Sequence, residues 1–179
     1  MIYILLGMPE GQYMENPFRD LGSDDPLFQA ILTLHYMGAF EGWQLEELFQ
    51  SDREITRAEF ISLLVWFYCR MGGEVQQAPD MDIADMDASH WAYEAVLTAL
   101  DQGWIELDEN AAFRPDDTIT RGEAAAAANR AAGREPDMEI LEPMNPGFAD
   151  LPEDHPFYED ILEAAITHPA GHYLSAAGL

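Results

Sequence analysis

The sequence predicts an all-α protein built from repeated helix–loop–helix units. A short motif that ends in Asp occurs three times, 65 residues apart, at Phe18-Arg19-Asp20, Ile83-Ala84-Asp85 and Phe148-Ala149-Asp150. Apolar residues at helical spacing follow each copy. A second motif, Thr-Arg-x-Glu, begins at Thr56 and again at Thr120. Repetition at a fixed period is typical of small units that bury their apolar faces against one another.

The first helix of each unit is predicted just after the Asp motif. Asp24, Ser89 and Asp154 stand there, and all three are residue types that accept hydrogen bonds from the free N–H groups of a first helical turn. Gly38 and Gly103 follow the apolar residues, and we expect them to end the first two helices. The apolar residues at helical spacing are Phe28, Ile31, Leu32 and Leu34, then Tyr93, Val96, Leu97 and Leu100.

A second helix is predicted at each Thr-Arg-x-Glu motif. Thr followed three residues later by Glu forms a capping box, in which each side chain binds the backbone N–H of the other residue. The helices should continue through 60–70 and through the Ala-rich run 124–132, where small side chains permit close packing. Phe49 and Phe113 precede the two motifs, and we expect them to pack the loops onto the core.

This pattern divides the chain into an N-terminal segment, 1–15, two complete repeats, 16–73 and 81–134, and a truncated third repeat, 146–179. No Thr-Arg-x-Glu motif follows Thr167. The segments 72–82 and 135–147 are rich in Pro, Gly, Met and acidic residues and are predicted to be linkers.

The chain is strongly acidic, with 34 Asp plus Glu against 8 Lys plus Arg and a formal net charge of −26. All the basic residues are Arg. A field of this sign repels nucleic acid and anionic membranes, so we expect no nucleic-acid partner and no membrane insertion. Either a solvated acidic surface or a partner that is a basic protein or a divalent cation accounts for the charge.

The sequence does not predict an enzyme, a cofactor or a metal site. The single cysteine, Cys69, lies in an apolar helix, where we expect a small core residue, and no His and Asp pattern marks it as a nucleophile. The acidic run 80–87 lacks the Gly and closing Glu of a calcium loop. His168 and His172 are separated by Pro169 and Gly171, which argues against a helical metal pair.

The order of these motifs resembles the S-layer homology repeat over roughly 16–173. The second unit matches most fully, with Ile83, Asp85, His90, Trp91, Ala92, Gly103, Ile105, Phe113-Arg114-Pro115-Asp116 and Ile119-Thr120-Arg121-x-Glu123. The first unit has Pro26 in place of the Trp. The resemblance implies a bundle in which three repeats pack with pseudo-threefold symmetry. It also implies that grooves between repeats bind secondary cell-wall polysaccharide, often through pyruvate ketals.

The same resemblance implies glycan-binding residues at Arg57, Arg121, Asp20, Asp85, Asp150 and Trp91, with Thr56 and Thr120 beside the arginines. Structural roles are the alternative. Arg57 can pair with Asp52, Arg121 with Asp116 or Asp117, Trp91 can be a core residue, and the Asp residues can bind loop N–H groups. The third repeat lacks its Arg helix, which predicts that one groove is missing or is filled by another chain.

We therefore expect a non-catalytic module that binds cell-wall polysaccharide and anchors a protein to the bacterial cell surface. The alternative is an acidic protein–protein adaptor inside the cell, and an acidic mimic of nucleic acid rests on charge alone. The opening residues 1–6 are apolar but carry no basic residue, so they do not predict a signal peptide. The expected location is the cell wall if an export signal lies outside this chain, and the cytoplasm otherwise. The oligomeric state is left open.

Overall fold

A computed structural model describes residues 15–43 and 45–166. The predictions for the N-terminal segment, for His168 and His172, and for the end of the third repeat fall outside these residues.

The described residues form six α-helices and one 3-10 turn, joined by loops that contain only isolated β-bridges. The predicted all-α class is confirmed, whereas pseudo-threefold packing stays a prediction. The helices are α1 Phe28–Tyr36, α2 Arg57–Arg70, α3 Tyr93–Asp101, α4 Arg121–Ala131, α5 Met138–Leu141 and α6 Tyr158–Ala165, and the 3-10 turn Glu142–Met144 directly follows α5.

The first helix of each unit begins later than predicted, so the assignment of Asp24, Ser89 and Asp154 as N-caps is wrong. Helices α1, α3 and α6 begin at residues 28, 93 and 158, each after a tight turn that closes with a backbone hydrogen bond. The side chain that accepts from this turn is the next residue in the sequence, Asp25 in the first unit. The turn occupies the residues that periodicity alone assigns to the helix.

The predicted ends of α1 and α3 are confirmed. Gly38 and Gly103 adopt positive φ angles of 79° and 69°, a conformation in which a side chain is strained. In both helices the glycine N–H and the N–H after it bind carbonyls of the last turn, as in a Schellman motif.

The predicted capping boxes are also confirmed. Thr56 and Thr120 accept from the N–H groups of Glu59 and Glu123, whose carboxylates accept from the threonine N–H groups in return. Both threonines have extended backbone angles, which is the usual N-cap conformation.

The repeats interlock, because the second helix of one unit packs on the first helix of the next. Helix α2 lies against α3 and α4, and α4 lies against α6. Ala58 and Ile61 from α2 belong to the core of the second repeat, together with Val96, Leu97 and the fully buried Phe113. Phe49 likewise packs against the core of the first repeat, so both predicted loop anchors are confirmed.

The prediction that 135–147 is a simple linker is wrong. It contains α5, whose N-cap Asp137 accepts from the N–H of Glu139. Leu141 is fully buried against Leu162 and Ile166 in a third, small core. The surrounding Pro, Met and acidic residues form no apolar pattern from which the contacts of Leu141 could be predicted.

Three hydrogen bonds join α4 and the residues after it to α6. The Nε of Arg134, just after α4, donates to the carboxylate of the fully buried Glu163 at 2.8 Å, and the same guanidinium donates to the Glu163 carbonyl at 2.7 Å. The side chain of Asn129 donates to the carbonyl of Asp160 at 2.9 Å. These contacts fix the position of the third unit against the second.

Cys69 is exposed rather than buried, so the expectation that it is a core residue is wrong. It lies in the last turn of α2, and the neighbouring Tyr68 is the side chain that packs on the core, against Trp104. All residues from 60 to 69 except Ser62 are apolar, so the hydrophobic pattern does not distinguish the faces of α2 there.

Within the described residues, no helix is long and apolar enough to span a lipid bilayer.

Candidate functional site

The start of α2 is closed by the loop of the second repeat. The N–H groups of Arg57 and Ala58 donate to the carbonyls of Asp117 and Pro115 at 2.8 and 3.0 Å. An isolated bridge between Thr56 and Thr118 continues this contact. The free N–H groups of the helix start therefore find acceptors in the next repeat.

Arg57 is buried at this junction, with 8% of its surface exposed. Its Nε donates to the carbonyl of Phe113 at 2.8 Å, its guanidinium lies 5.0 Å from the centre of the Phe113 ring, and its Nη1 forms an ion pair with Glu123. The predicted pairing with Asp52 is therefore wrong. The partner is the capping-box glutamate of the following repeat, 66 residues away.

Each of the two capping-box glutamates forms an ion pair with an arginine. Glu123 binds Arg57, while Glu59 binds Arg53 through two contacts of 2.6 and 2.9 Å. Burial by itself would raise the pKa of both carboxyl groups. Hydrogen bonds from the arginine and from the threonine N–H outweigh this effect, so the pKa of Glu59 and that of Glu123 lie below the usual value.

The start of α4 is open where the start of α2 is closed. A groove of about 680 Å³ separates it from the third unit. Arg121 lies at the edge of this groove and is exposed. Among the described residues, no carboxylate lies within ion-pair distance of Arg121, so its predicted pairing with Asp116 or Asp117 is wrong. Instead, a carboxylate oxygen of Asp117 lies 3.6 Å from Nη1 of Arg114.

The inner wall of the groove is formed by a close contact between Gly122 and Phe157. A Cβ atom placed on Gly122 would lie 2.8 Å from the Phe157 ring, so only glycine fits in this arrangement. A smaller cavity of about 170 Å³ has Arg57, Glu123 and Phe157 in its lining, as the groove does. Phe157 therefore borders both the groove and the smaller cavity.

The aspartates of the three Asp motifs differ in their surroundings. The N–H groups of Phe49 and Gln50 donate to the carboxylate of Asp20 at 2.8 and 2.7 Å, and these bonds lower the pKa of that carboxyl group. Asp85 accepts from the equivalent loop of the second repeat at 2.9 and 2.7 Å. Asp150 is exposed and lines the groove beside α4.

The structure places Trp91 away from this groove. The Trp91 ring is half-buried and packs against Gly42 of the first repeat, where a Cβ would lie 2.7 Å from it. It also stacks on His90, with the ring centres 5.8 Å apart. The groove thus brings together Arg121, Thr120 and Asp150.

Sequence reasoning missed several groove residues. His155 and Phe157 line the groove, and Gly122 is the position on which Phe157 packs. A signal was present, because residue 157 aligns with Ala92 while residue 122 aligns with Ala58. A small pair at one junction is replaced by a glycine and a large ring at the other.

No group of three His, Cys, Asp or Glu side chains in the described part of the chain is arranged to hold a metal ion.

Comparison with known proteins gives two matches to a single family. The S-layer homology domain profile matches residues 17–61 and 82–125. These segments contain most of the two predicted complete repeats.

Three curated proteins are similar to the chain. A cellulosome-anchoring protein of Acetivibrio thermocellus is 31% identical over 92% of this chain and 36% of its own length. Cell surface glycoprotein 1 of the same organism is 30% identical over 92% of this chain and 7% of its own length. An endoglucanase of Bacillus sp. strain KSM-635 is 28% identical over 80% of this chain and 14% of its own length. The chain thus spans little more than a third, or less, of each relative.

Proposed function

The chain carries two repeats of the S-layer homology domain family, at residues 17–61 and 82–125, and from that premise we propose that it is a non-catalytic module that anchors a protein to the bacterial cell surface. The proposed ligand is a secondary cell-wall polysaccharide, bound in the groove between α4 and the third unit. Two of the relatives bear names that denote anchoring or a cell-surface location, which favours this reading over an adaptor inside the cell.

The observation that carries the proposal is the contrast between Arg57 and Arg121. The two arginines hold the same position in equivalent helices. Arg57 is buried and binds the Glu123 carboxylate, whereas Arg121 is exposed at a groove and has no carboxylate among the described residues. The Arg57–Glu123 pair therefore supports a carboxylate as the partner of Arg121, and a glycan substituent that carries a carboxylate has the same chemistry.

The groove offers further contacts of the right kind. The N–H groups of Arg121 and Gly122 begin α4, and no acceptor within the described residues binds them. A helix start of this kind favours a negative group. Phe148 and Phe157 line the same groove and provide apolar faces on which a sugar ring can pack. The local charges also differ from those of the whole chain, because Arg57, Arg114 and Arg121 balance Asp117, Glu123 and Asp150.

The anchoring role also explains the similarity to an endoglucanase. That match covers 14% of the enzyme, a share suited to an attachment module rather than to a catalytic domain.

A sedimentation assay with purified cell walls tests the proposal. The wild-type chain should bind intact walls and should lose binding when the non-peptidoglycan polymer is removed. Arg121→Ala should weaken binding by about 10-fold or more, since a hydrogen bond to a charged group contributes roughly 1.5–3 kcal/mol. Arg19→Ala is the matched control, because Arg19 is an exposed arginine far from the groove that pairs with Glu47. Equal binding by wild type and Arg121→Ala would contradict the role of Arg121.

A further inference from the structure

One position in each unit caps the turn before the first helix. Asp25 accepts from the N–H of Leu27 at 2.7 Å. In the next two units the acceptor is the Nδ1 of a histidine. The N–H of Ala92 donates to His90 and that of Phe157 donates to His155, both at 3.2 Å. The three units thus share a hydrogen bond that is made by a carboxylate once and by an imidazole twice.

His155 is the member of this set that borders the groove. The residue whose N–H it holds is Phe157, the ring that packs on Gly122 at the start of α4. The cap therefore positions the groove wall next to Arg121. His90, in contrast, stacks on Trp91 and interacts with Asp87 away from the groove.

The charged groups around His155 do not include an ion-pair partner. No carboxylate oxygen of the described residues lies within 4.0 Å of its ring. Its own turn carries Glu153 and Asp154. The charged residues that line the same groove are Arg57, Arg114, Asp117, Arg121, Glu123 and Asp150. No other acceptor binds the Phe157 N–H within the described part of the chain, so protonation of the imidazole leaves that N–H without a partner there.

We propose that His155 makes the groove sensitive to pH. A neutral imidazole can accept at Nδ1, but a protonated ring carries N–H donors at both nitrogens and accepts nothing. When the imidazole is protonated, the Phe157 N–H loses its acceptor, and the Phe157 ring that packs on Gly122 loses one of the contacts that position it. The consequence for glycan binding rests on the proposed function, whereas the loss of the cap does not.

Amide hydrogen exchange of Phe157, measured by NMR, tests the loss of the cap without any ligand. The comparison is between wild type and His155→Asn at the same pH, so the intrinsic pH dependence of exchange cancels. The Asn side chain accepts from the same N–H at every pH and adds no charge. At pH 7.5 the two proteins should exchange alike. At pH 5.5 the Phe157 amide of wild type should exchange about fivefold faster, the effect of one hydrogen bond.

The first unit supplies the matched control. Asp25→His should give the Leu27 amide the same acid-dependent exchange, which wild type lacks at that position. Equal exchange of Phe157 in wild type and His155→Asn at pH 5.5 would overturn the proposal. Cell-wall sedimentation at both pH values then separates the two proposals. Weaker binding of wild type at pH 5.5, with no change for His155→Asn, supports both, and a lack of binding at pH 7.5 refutes only the proposed function.

Discussion

Arg57 and Arg121 show how one residue type at one motif position takes two roles. The loop of the second repeat covers Arg57, so its guanidinium is withdrawn from water and binds Glu123 and the carbonyl of Phe113. No equivalent loop covers Arg121 among the described residues. The surroundings, and not the motif, therefore decide whether the arginine is buried in an ion pair or exposed at a groove.

This difference predicts that the same substitution has a large effect on stability at Arg57 and a small one at Arg121. Arg57→Ala should lower the free energy of unfolding by about 2–4 kcal/mol, because it leaves a partly buried Glu123 carboxylate and a buried carbonyl without a donor. Arg121→Ala should change it by less than about 0.5 kcal/mol, as is usual at exposed positions. Urea unfolding followed by circular dichroism measures both. Similar losses for the two variants would show that Arg121 has a structural partner.

The lowered pKa of Glu123 predicts how its contribution depends on pH. A carboxyl group whose pKa is lower in the folded state stabilises the fold above its unfolded pKa of about 4.3, and this stabilisation is lost as the pH falls through the folded value. The difference in unfolding free energy between wild type and Glu123→Gln should therefore be constant from pH 8 to about 5 and should shrink below about pH 4. Urea titrations at each pH measure it.

Glu153→Gln is the control for this series, since Glu153 is exposed and has no ion pair within the described residues. A difference for Glu123→Gln that persists at pH 3 would contradict the assignment.

At the scale of the helices, features that depend on neighbouring residues were predictable and those that depend on distant ones were not. The capping boxes at Thr56 and Thr120 and the helix ends at Gly38 and Gly103 are local, and the structure confirms them. The ion pair of Arg57 joins residues 66 positions apart, and no local signal marks it.

The starts of the first helices were missed for a different reason. The turn before each helix is stabilised by a side chain that accepts from the N–H two residues later, and in two units that side chain is a histidine. Histidine is not a usual capping residue, so the N-caps were predicted at Ser89 and Asp154 instead. The sequence predicted a groove that is missing or filled by another chain, whereas the described residues contain an open groove beside Arg121.

Different pairs of residues occupy equivalent positions at the starts of α2 and α4. Ala58 at the start of α2 and Ala92 at the start of the next unit are both buried, at 1% exposure. The equivalent pair at the start of α4 is Gly122 and Phe157, where the ring occupies the space of the missing side chain.

This complementarity predicts a strong coupling between the two residues. Gly122→Ala should destabilise the protein by about 1–3 kcal/mol, since its Cβ would lie 2.8 Å from the Phe157 ring. In a Phe157→Ala background the same change should instead be neutral or stabilising by up to about 1 kcal/mol, because alanine favours the helix and the first junction already uses an alanine pair. Unfolding free energies of the two single variants and the double variant close the cycle. Additive effects would contradict the packing.

At the scale of the whole molecule, the units differ in how far they depend on one another. Among the described residues, the core of the first repeat is formed by its own residues, with Leu63 and Trp66 of α2 packed against it. Ala58 and Ile61 of the first repeat complete the core of the second, and the buried Glu163 of the third unit binds Arg134, which follows α4. Contacts between repeats therefore hold the second and third units in place. The large negative charge acts against all of these contacts at once.

The net charge of −26 predicts that salt stabilises the protein at neutral pH. Like charges repel more strongly in the compact state than in the unfolded chain, and raising the salt from 10 to 150 mM shortens the Debye length from about 30 to about 8 Å. The melting temperature at pH 7 should therefore rise by about 2–4 °C, the shift expected for roughly 1 kcal/mol in a chain of this length. Calorimetry across this salt range measures the slope, and the same series near the isoelectric point of about 4.1 is the control. There the net charge is near zero, so the slope should vanish or reverse as salt screens the Arg53 and Arg57 ion pairs. Equal positive slopes at the two pH values would mean that salt acts on the protein by some means other than screening its charge.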